Sequence, residues 1–498
     1  MQASRILNPL GRRLTARQVS KYTSPSRLAY TYTPRNFHSS PTSKSSSSQS
    51  LPDLPNTITL ANITHNTDSH TNIPSTLLPY LTRNLHLTPH HPISNTRQII
   101  ESLFPPTTFA RYNNLTPVVT VAQNFDCLGF PPDHVGRSKS DTYYVNQHTV
   151  LRTHTSAHQA EKFRTLEKEG KEGYLISADV YRRDAIDRSH YPVFHQMEGA
   201  RLFKRDGKSS GELVDEILRD LEGMAVPNVE VVESCKLYDN DGGNPVQAGK
   251  GHSVEEAEAL GKHLQRQLEL VVSKVFSEAA LAAGDTAAAK EKVKVRWVSA
   301  YFPFTSPSYE LEVLWNDEWL EILGCGVIRQ DLLDYAGRKG SIGWAFGVGI
   351  ERIAMLMYGI PDIRLFWSAD ERFKGQFREG VVKRFEAFSK YPQCFKDVAF
   401  WIGEGRGAAA AGGAGGAVGS GEEFHENDFM ELVRGVGGDL VEDVKLIDEF
   451  THPKTGRKSM CYRINYRSLE RTLTNEEVDE LQAKVRSQLE EKMGVQLR

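Results

Sequence analysis

Strand-like segments in this chain follow one another through short turns more often than through helices, and this succession most constrains the fold. Runs rich in β-branched and aromatic residues predict strands at 116–125, 174–184, 193–203 and 295–304. Segments 310–315 and 319–323 flank Asn316 and Asp317, which predicts a hairpin. Apolar spacing predicts helices at 94–103, 154–168, 211–221 and 254–283. Because hairpins outnumber strand-helix-strand units, we predict an α+β fold with an antiparallel sheet flanked by helices.

The last part of the chain has a more regular order of elements. Strand patterns at 395–402, 440–449, 460–467 and 495–498 alternate with helical patterns at 426–434 and from 475 to about 492. Thr474, followed three residues later by Glu477, forms the capping box that starts the second helix. The order β-α-β-β-α-β is that of the ferredoxin-like motif.

Composition divides the chain into three regions. Residues 39–50 are nearly all Ser, Thr, Lys and Gln, which cannot bury enough apolar area to offset chain entropy, so residues 1–52 are predicted to be a leader and linker. Residues 53–388 then form the domain with the large antiparallel sheet, and residues 389–498 form the ferredoxin-like domain. A Gly- and Ala-rich stretch at 403–421 is predicted to be a loop inserted into that last domain.

The leader has the composition of a mitochondrial transit peptide. It contains eight basic residues, and the first acidic residue of the chain is Asp53. Apolar residues recur near helical spacing between the arginines, and Ser and Thr are frequent. The alternative is a disordered tail, because Pro9 and Gly11 weaken a helix here. We therefore expect the remaining chain to work in the mitochondrial matrix.

Charge, hydropathy and cysteine spacing exclude several classes of protein. The net charge is −3, and without the leader it would be about −11, so any RNA contact must come from local basic patches. Charged residues interrupt every apolar stretch before it reaches the roughly 18 residues that a membrane span needs. The five cysteines are far apart and never form a C-x-x-C pair, so neither a zinc site nor a disulfide framework is indicated.

Polar side chains gather on two neighbouring predicted strands. Alternation puts Arg182 and Asp184 on one face of the first strand, and Phe194, Gln196 and Glu198 on one face of the second. If the strands pair as a hairpin, a cation, an aromatic ring, an amide and two acids meet on one surface. The alternative is an ordinary solvated sheet face.

A glycine-rich segment opens a predicted helix at 347–352. Its final position holds Arg352 and not the third glycine of a dinucleotide fingerprint, so that fingerprint fails. An apolar stripe begins at Ile350, and Arg352 projects from the opposite side in the first turn. Free N–H groups and a fixed cation at a helix start suit a polyphosphate. A glycine-packed core helix is the alternative.

Two phenylalanines, Phe302 and Phe304, stand two residues apart in a segment predicted to be extended. Their rings would lie on the same side. They either belong to the core, as most paired aromatics do, or form one wall of an aromatic pocket.

These motifs together resemble those of the phenylalanyl-tRNA synthetases, a class II family. The matching stretches are RTHTS at 152–156, YRRD at 181–184 with FHQME at 194–198, FPF at 302–304 and GVGIER at 347–352. The block 182–198 looks like motif 2 of class II synthetases, and 347–352 looks like motif 3. The single-chain plan, with a basic leader and a ferredoxin-like end, is similar to the mitochondrial form. One departure is Asp184, where many relatives carry glutamate.

The resemblance implies an enzyme that joins phenylalanine to tRNA(Phe) through phenylalanyl-adenylate, with ATP as substrate and Mg²⁺ as cofactor. It implies that Arg182 and Arg352 are the catalytic residues and that Glu321 lies near the metal. The implied ATP-binding residues are Arg182, Asp184, His190, Phe194, Glu321, Gly347, Gly349 and Arg352. The implied phenylalanine-binding residues are His154, Ser156, Gln159, Arg182, Gln196, Glu198, Phe302, Phe304, Ala345 and Phe346.

For tRNA, the ferredoxin-like domain resembles the family's anticodon-binding domain, and its candidate contacts are Lys396, Arg463 and Arg467. By the same resemblance the chain is a monomer. Two other functions fit the residues less well. One is an inactive mitochondrial RNA-binding protein on the same fold, which would not need Arg182, Gln196 and Arg352. The other is a different adenylate-forming ligase, which would not need Phe302 and Phe304.

Overall fold

The computed structural model describes residues 55–240, 243–247, 251–388, 391–402 and 424–498. Residues 54–498 form one compact unit. The predicted leader at 1–52 and the predicted insertion at 403–421 lie outside the described residues. In the described part of the chain, no helix is both long enough and apolar enough to cross a membrane.

The helices and strands alternate irregularly along the chain. The strands are β1 (Thr57–Leu60), β2 (Ile63–Asn66), β3 (Phe109–Tyr112), β4 (Val118–Thr120), β5 (Tyr144–Asn146), β6 (Thr149–Leu151), β7 (Gly173–Tyr181), β8 (Val193–Lys204), β9 (Val229–Ser234), β10 (Val293–Phe302), β11 (Thr305–Trp315), β12 (Glu318–Ile328), β13 (Ser341–Gly349), β14 (Cys394–Trp401), β15 (Val441–Thr451), β16 (Lys458–Tyr466) and β17 (Gln496–Leu497). The α-helices are α1 (Pro92–Glu101), α2 (Val121–Asn124), α3 (Gln159–Leu166), α4 (Ser210–Gly223), α5 (Val254–Ala282), α6 (Gln330–Tyr335), α7 (Ile350–Tyr358), α8 (Glu371–Lys374), α9 (Glu426–Gly437) and α10 (Asn475–Met493).

Eight strands form the central sheet, in the order β3-β7-β8-β13-β12-β11-β10-β9. Every neighbouring pair is antiparallel except β3 with β7 and β9 with β10, the pairs at the two edges. The β11–β12 hairpin turns at Asn316 and Asp317, whose φ angles of 51° and 66° are the left-handed values that a type I′ turn requires. The predicted antiparallel α+β fold is confirmed.

Helices cover the sheet because their apolar faces have no other place to be buried. The longest, α5, starts at a capping box in which Ser253 accepts a hydrogen bond from the N–H of Glu256. Its buried residues, among them Leu260, Leu264 and Val271, share one core with α1, α7 and the sheet. This core fixes the sheet on which the site is built.

The ferredoxin-like domain has its own core. Its strands form a separate sheet in the order β15-β16-β14-β17, and α9 and α10 supply Phe429, Val433, Val478 and Val485 to a core distinct from the larger one. The predicted order of elements is confirmed here, with ends shifted by a few residues.

Three local predictions were wrong in detail. Segment 116–125 is a strand only at Val118–Thr120, because Thr120 then caps the short helix α2 together with Gln123. The helix expected at 154–168 begins as a 3-10 turn before α3. Phe302 and Phe304 are not in one extended segment, since Phe302 ends β10 and Phe304 lies in the turn to β11.

Candidate active site

A cavity of about 570 Å³ opens on one face of the central sheet. Its volume is in the range of small-molecule sites. Every residue that the sequence suggested for ATP or phenylalanine lines it. They are His154, Ser156, Gln159, Arg182, Asp184, His190, Phe194, Gln196, Glu198, Phe302, Phe304, Glu321, Ala345, Phe346, Gly347, Gly349 and Arg352.

Strand pairing brings the polar residues of β7 and β8 together. The two strands are antiparallel, with Val180 opposite Phe194 and Ala178 opposite Gln196. Arg182 lies one residue beyond β7, where its Nε donates a 2.8 Å hydrogen bond to the carbonyl of Thr153. Its Cζ stands 5.3 Å from the centre of the Phe194 ring. The guanidinium is therefore fixed by a backbone acceptor on one side and a ring face on the other.

Two glycines of β13 keep the space in front of β8 open. Gly347 pairs with Glu198, and Gly349 pairs with Gln196, so a side chain at either glycine would point to the same side as these polar groups. A Cβ at Gly347 would stand 3.0 Å from Gln196 Nε2. The G-x-G pattern thus leaves room over the polar face of β8.

Glu198 is buried, with hydrogen-bond donors around its carboxylate. Tyr174 Oη donates to it at 2.6 Å and Thr155 Oγ1 at 3.4 Å, and Ser156 Oγ also donates. Burial raises the pKa of Glu198 to about 7, although these hydrogen bonds act in the opposite direction. A cationic group that enters the cavity would supply the counter-charge that this acid lacks.

His154 and Gln159 offer further acceptors to the cavity. His154 is buried and stacks on Phe130, with 5.5 Å between ring centres. Burial, and to a smaller extent the charge of Arg182, lowers the pKa of His154 to about 3, so the ring is neutral. In the part of the chain that the structure describes, neither ring nitrogen nor Gln159 Oε1 has a hydrogen-bond partner. These atoms can therefore meet polar groups of a ligand.

Aromatic rings form the opposite wall. The rings of Phe302 and Phe304 are nearly parallel, with centres 6.0 Å apart, and Phe304 also contacts His154 at 6.4 Å. Gly324 makes room for this wall, since a Cβ there would stand 2.5 Å from Phe302 Cζ. Ala345 lies across from Ala200, on the pocket side of β13. The small side chain at 345 leaves depth for a ring.

Phe346 differs from the other suggested residues. It follows Ala345 on β13, so its side chain points to the other side of the sheet. There it stacks on Phe104 in the main core, with 5.5 Å between ring centres. It supports the pocket from behind.

Arg352 lies at the first turn of α7, as the sequence predicted. Ile350, Ile353, Ala354 and Met357 of this helix are buried in the main core. Arg352 is exposed on the other side, and its Nη1 donates a 2.8 Å hydrogen bond to the carbonyl of Glu321 on β12. The helix start therefore presents a cation at the rim of the cavity.

The β7–β8 loop at 182–192 carries His190 and Asp184. His190 Nδ1 contacts Asp187 Oδ2 at 2.7 Å, and this hydrogen bond raises the pKa of His190. The ferredoxin-like domain contacts the same loop, since Arg434 Nη2 donates to the Asp184 carbonyl at 2.7 Å and Val444 N–H donates to the Ile186 carbonyl at 3.0 Å. Nothing local in the sequence indicated this support.

The three basic residues suggested for tRNA do not form one patch of unpaired charges. Lys396 Nζ lies 2.5 Å from Asp479, Arg463 lies 2.8 Å from Asp397, and Arg467 lies 3.2 Å from Glu442. The sequence reasoning missed a nearby aromatic cluster. It consists of Trp401, Phe450 and His452, with the guanidinium groups of Arg457 and Arg498 5.4 and 5.8 Å from the Trp401 ring.

Glu321 is the acid that could approach a metal. Its carboxylate is exposed at the cavity. The pKa of Glu310 is raised, first by the burial of Glu310 and next by the negative charge of Glu321. Within the described ranges no group of three or more His, Cys, Asp or Glu residues could hold a metal by itself. This fits Mg²⁺, which takes few protein ligands when phosphates supply the others.

Two family models match the chain. The model described as "tRNA synthetases class II core domain (F)" matches residues 78–210 and 269–377. The model described as "Ferredoxin-fold anticodon binding domain" matches residues 389–498. Fold, cavity and models together define a class II tRNA synthetase.

Similar proteins indicate which class II synthetase family the chain belongs to. The mitochondrial phenylalanine-tRNA ligase of Saccharomyces cerevisiae is 48% identical over 457 residues, which cover 88% of this chain and 94% of the yeast protein. The chloroplastic/mitochondrial enzyme of Arabidopsis thaliana is 42% identical, covering 86% of this chain and 83% of its own. The mitochondrial enzyme of Mus musculus is 40% identical, covering 86% of each chain. The chain belongs to the mitochondrial phenylalanine-tRNA ligase family, which confirms the resemblance.

Proposed function

We propose that the cavity carries out both steps by which this family member attaches phenylalanine to tRNA(Phe) with ATP. In the first step the carboxylate oxygen of phenylalanine bonds to the α-phosphorus of ATP, and diphosphate leaves. In the second, a ribose hydroxyl of the terminal adenosine of tRNA attacks the carbonyl carbon of the adenylate, and AMP leaves. The first step brings two anions together, so charge neutralisation and positioning supply most of its acceleration.

The observation that carries this proposal is the presence of two arginines from distant parts of the chain in one cavity. Arg182 stands beside Phe194, Gln196 and Glu198, and Arg352 stands at the rim. We assign to Arg182 the contact with the phenylalanine carboxylate and the α-phosphate. We assign to Arg352 the distal phosphates, because a guanidinium at a helix start suits them.

The phenylalanine end of the cavity comprises His154, Ser156, Gln159, Gln196, Glu198, Phe302, Phe304 and Ala345. The buried carboxylate of Glu198 would hold the substrate ammonium, with Gln196 and Ser156 beside it. The ring would lie against Phe302 and Phe304 above Ala345. This wall is apolar, and such walls reject an added hydroxyl only about a hundredfold, so tyrosine is the obvious competitor.

The nucleotide end comprises Asp184, His190, Phe194, Glu321, Gly347, Gly349 and Arg352. Phe194 offers a ring face for the adenine, and His190 lies near enough to Arg352 for the two charges to interact. Glu321 would hold Mg²⁺, which supplies neutralisation of phosphate charge when bound. Asp184 reaches less far than the glutamate of many relatives, so we assign to it only a supporting contact.

The ferredoxin-like domain would hold tRNA through its exposed sheet face. Lys396, Arg463 and Arg467 remain candidates, although Lys396 lies on the helix side of the sheet, where it pairs with Asp479 of α10, and tRNA phosphates must compete with the present acidic partners of all three. The Trp401, Phe450 and His452 cluster adds rings on which unpaired bases stack. We propose domain limits of 53–388 and 389–498, a single-chain monomer, and action in mitochondria, within the matrix, after removal of the leader at 1–52.

Amino-acid-dependent ATP-diphosphate exchange tests the first step. The chain is incubated with ATP, labelled diphosphate and each of the twenty amino acids in turn. Exchange with phenylalanine is expected, and transfer to tRNA(Phe) should follow. An absence of exchange with any amino acid would instead favour an RNA-binding protein without activity, and dependence on another amino acid would favour a different ligase.

A further inference from the structure

The residue before Arg352, Glu351, is buried, and it too lines the cavity. Glu351 lies in the first turn of α7, and both oxygens of its carboxylate contact one residue of β8. Oε2 accepts a 2.7 Å hydrogen bond from the backbone N–H of His195, and Oε1 lies 2.7 Å from His195 Nδ1.

These contacts stand where the sheet ladder ends. The last register pair of β13 and β8 joins Gly349 to Gln196, and the next residue along β8 is His195. At that point the chain leaves β13 and becomes α7. β13 has no further residue that could accept a hydrogen bond from the backbone N–H of His195. The carboxylate of Glu351 accepts this hydrogen bond instead. It joins the helix start to the strand beyond the last backbone pair.

His195 is itself fixed from the other sides. Its ring is fully buried and stacks on Trp367, with 5.6 Å between centres, and the ring of His86 lies 5.2 Å away. Its neighbours on β8, Phe194 and Gln196, both line the cavity. Because the His195 side chain is held on several sides, its contact with Glu351 fixes the start of α7 relative to β8.

The position of the Arg352 side chain depends on how α7 is held against β8. Its guanidinium is exposed and donates to a backbone carbonyl, that of Glu321, so its place over the cavity follows the orientation of the helix. A shift of about 1 Å in a positioning group can lower a rate by about a hundredfold.

We propose that Glu351 is a positioning residue: by holding His195 it sets Arg352 at the correct distance from the β8 residues that bind substrate. The inference rests on the proposed role of Arg352 in ATP binding. It predicts that loss of the Glu351 carboxylate changes kcat/KM for ATP and leaves the phenylalanine Kd unchanged.

The test measures phenylalanine-dependent exchange and, without ATP, phenylalanine binding by calorimetry, using the full chain. Glu351→Ala should lower kcat/KM for ATP by about 10- to 100-fold and change the phenylalanine Kd by no more than about twofold. Glu351→Gln should restore most activity, because its amide oxygen can still accept the hydrogen bond from the backbone N–H of His195 and the side chain keeps the same length and shape. Comparable losses for ATP and phenylalanine, or no rescue by glutamine, would overturn the proposal.

A double-mutant cycle separates positioning from a general loss of structure. If Glu351 acts through Arg352, the double variant Glu351→Ala with Arg352→Ala should be no worse than Arg352→Ala alone. Losses that multiply would contradict the proposal. If Glu351→Ala does not fold, Glu351→Asp, which keeps the charge with a shorter reach, takes its place in the cycle and should show an intermediate ATP defect.

Asp220 provides the matched control. Its carboxylate also contacts a histidine, His263 Nε2, at 2.6 Å, and neither of these two residues lines the cavity. Asp220→Ala should lower the melting temperature and leave the ATP parameters unchanged. Wild type and Arg352→Ala are measured alongside: wild type without exchange refutes the proposed function itself, whereas an active wild type with an unaffected Glu351→Ala refutes only this inference.

Discussion

The two ends of the cavity differ in how far the protein has already arranged them. At the phenylalanine end, Glu198 and Gln159 are buried, and residues of strands and a 3-10 turn hold their positions. At the nucleotide end, Arg352, His190 and Glu321 are exposed, and they stand on a helix start, a loop and a strand rim. We infer that the end proposed for phenylalanine is prearranged by burial, whereas the end proposed for the triphosphate presents its charged groups to solvent before the ligand binds.

The difference extends to what supports each end. The phenylalanine end is built within the central sheet. The loop at 182–192, which carries His190, is also held by the ferredoxin-like domain through Arg434. Substitutions should therefore separate the ends, with Arg182 as the one residue that serves both.

The largest effect is expected for Arg182→Ala. This guanidinium would contact both substrates where the new bond forms, so its loss should lower the exchange rate by about 10²- to 10³-fold. ATP-diphosphate exchange at saturating phenylalanine measures this. If saturating phenylalanine restored the exchange rate of the variant to that of wild type, Arg182 would serve only the phenylalanine end.

Glu198→Gln should affect the phenylalanine end alone. A hydrogen bond to a charged group contributes about 1.5–3 kcal/mol, so the phenylalanine Kd should rise by about 10- to 100-fold. The KM for ATP should stay within about twofold of wild type. Equal changes in both constants would mean that the ends are not independent.

Phenylalanine binding should weaken as the pH falls. Burial raises the pKa of Glu198 to about 7, so the free acid is mostly protonated below that pH and ionised above it. Because the substrate ammonium needs the carboxylate, the apparent Kd should increase about tenfold for each pH unit below 7.

Calorimetry at pH 6 in two buffers of different ionisation enthalpy should detect close to one proton released per phenylalanine bound. The Glu198→Gln variant is the control, and its Kd should stay flat between pH 6 and 8. A wild-type Kd with no slope would indicate that Glu198 is already ionised in the free protein.

The smallest effect is expected for Arg434→Ala. This residue donates to the carbonyls of Asp184 and Ala185, so its loss should loosen the loop at the nucleotide end. The KM for ATP should rise about two- to tenfold, since loss of a hydrogen bond is worth about 0.5–1.5 kcal/mol, with the phenylalanine Kd unchanged. Lys396→Ala, which breaks an ion pair with Asp479 that includes no residue of the loop, is the control. An unchanged KM for ATP would show that the loop does not need this support.

Much of the architecture could be predicted because its signals are local. The turn at Asn316 and Asp317, the capping box at Thr474 and the apolar stripe of α7 depend on residues within one or two turns of each other. The order of elements in the ferredoxin-like domain follows from such signals. Where a local signal competed with another, as at Thr120, the helix cap prevailed over the strand pattern.

The sequence by itself determined which groups the site contains, because strand alternation placed Gln196 and Glu198 on one face and the matching motifs added Arg182. The pairing of β7 with β8 brought these groups together. Only the tertiary structure decided how those groups are held. Glu351 and His195 are 156 residues apart, and Arg434 reaches the loop from another domain. Such contacts form only when whole helices and strands pack against each other, so they cannot be predicted from short-range sequence patterns.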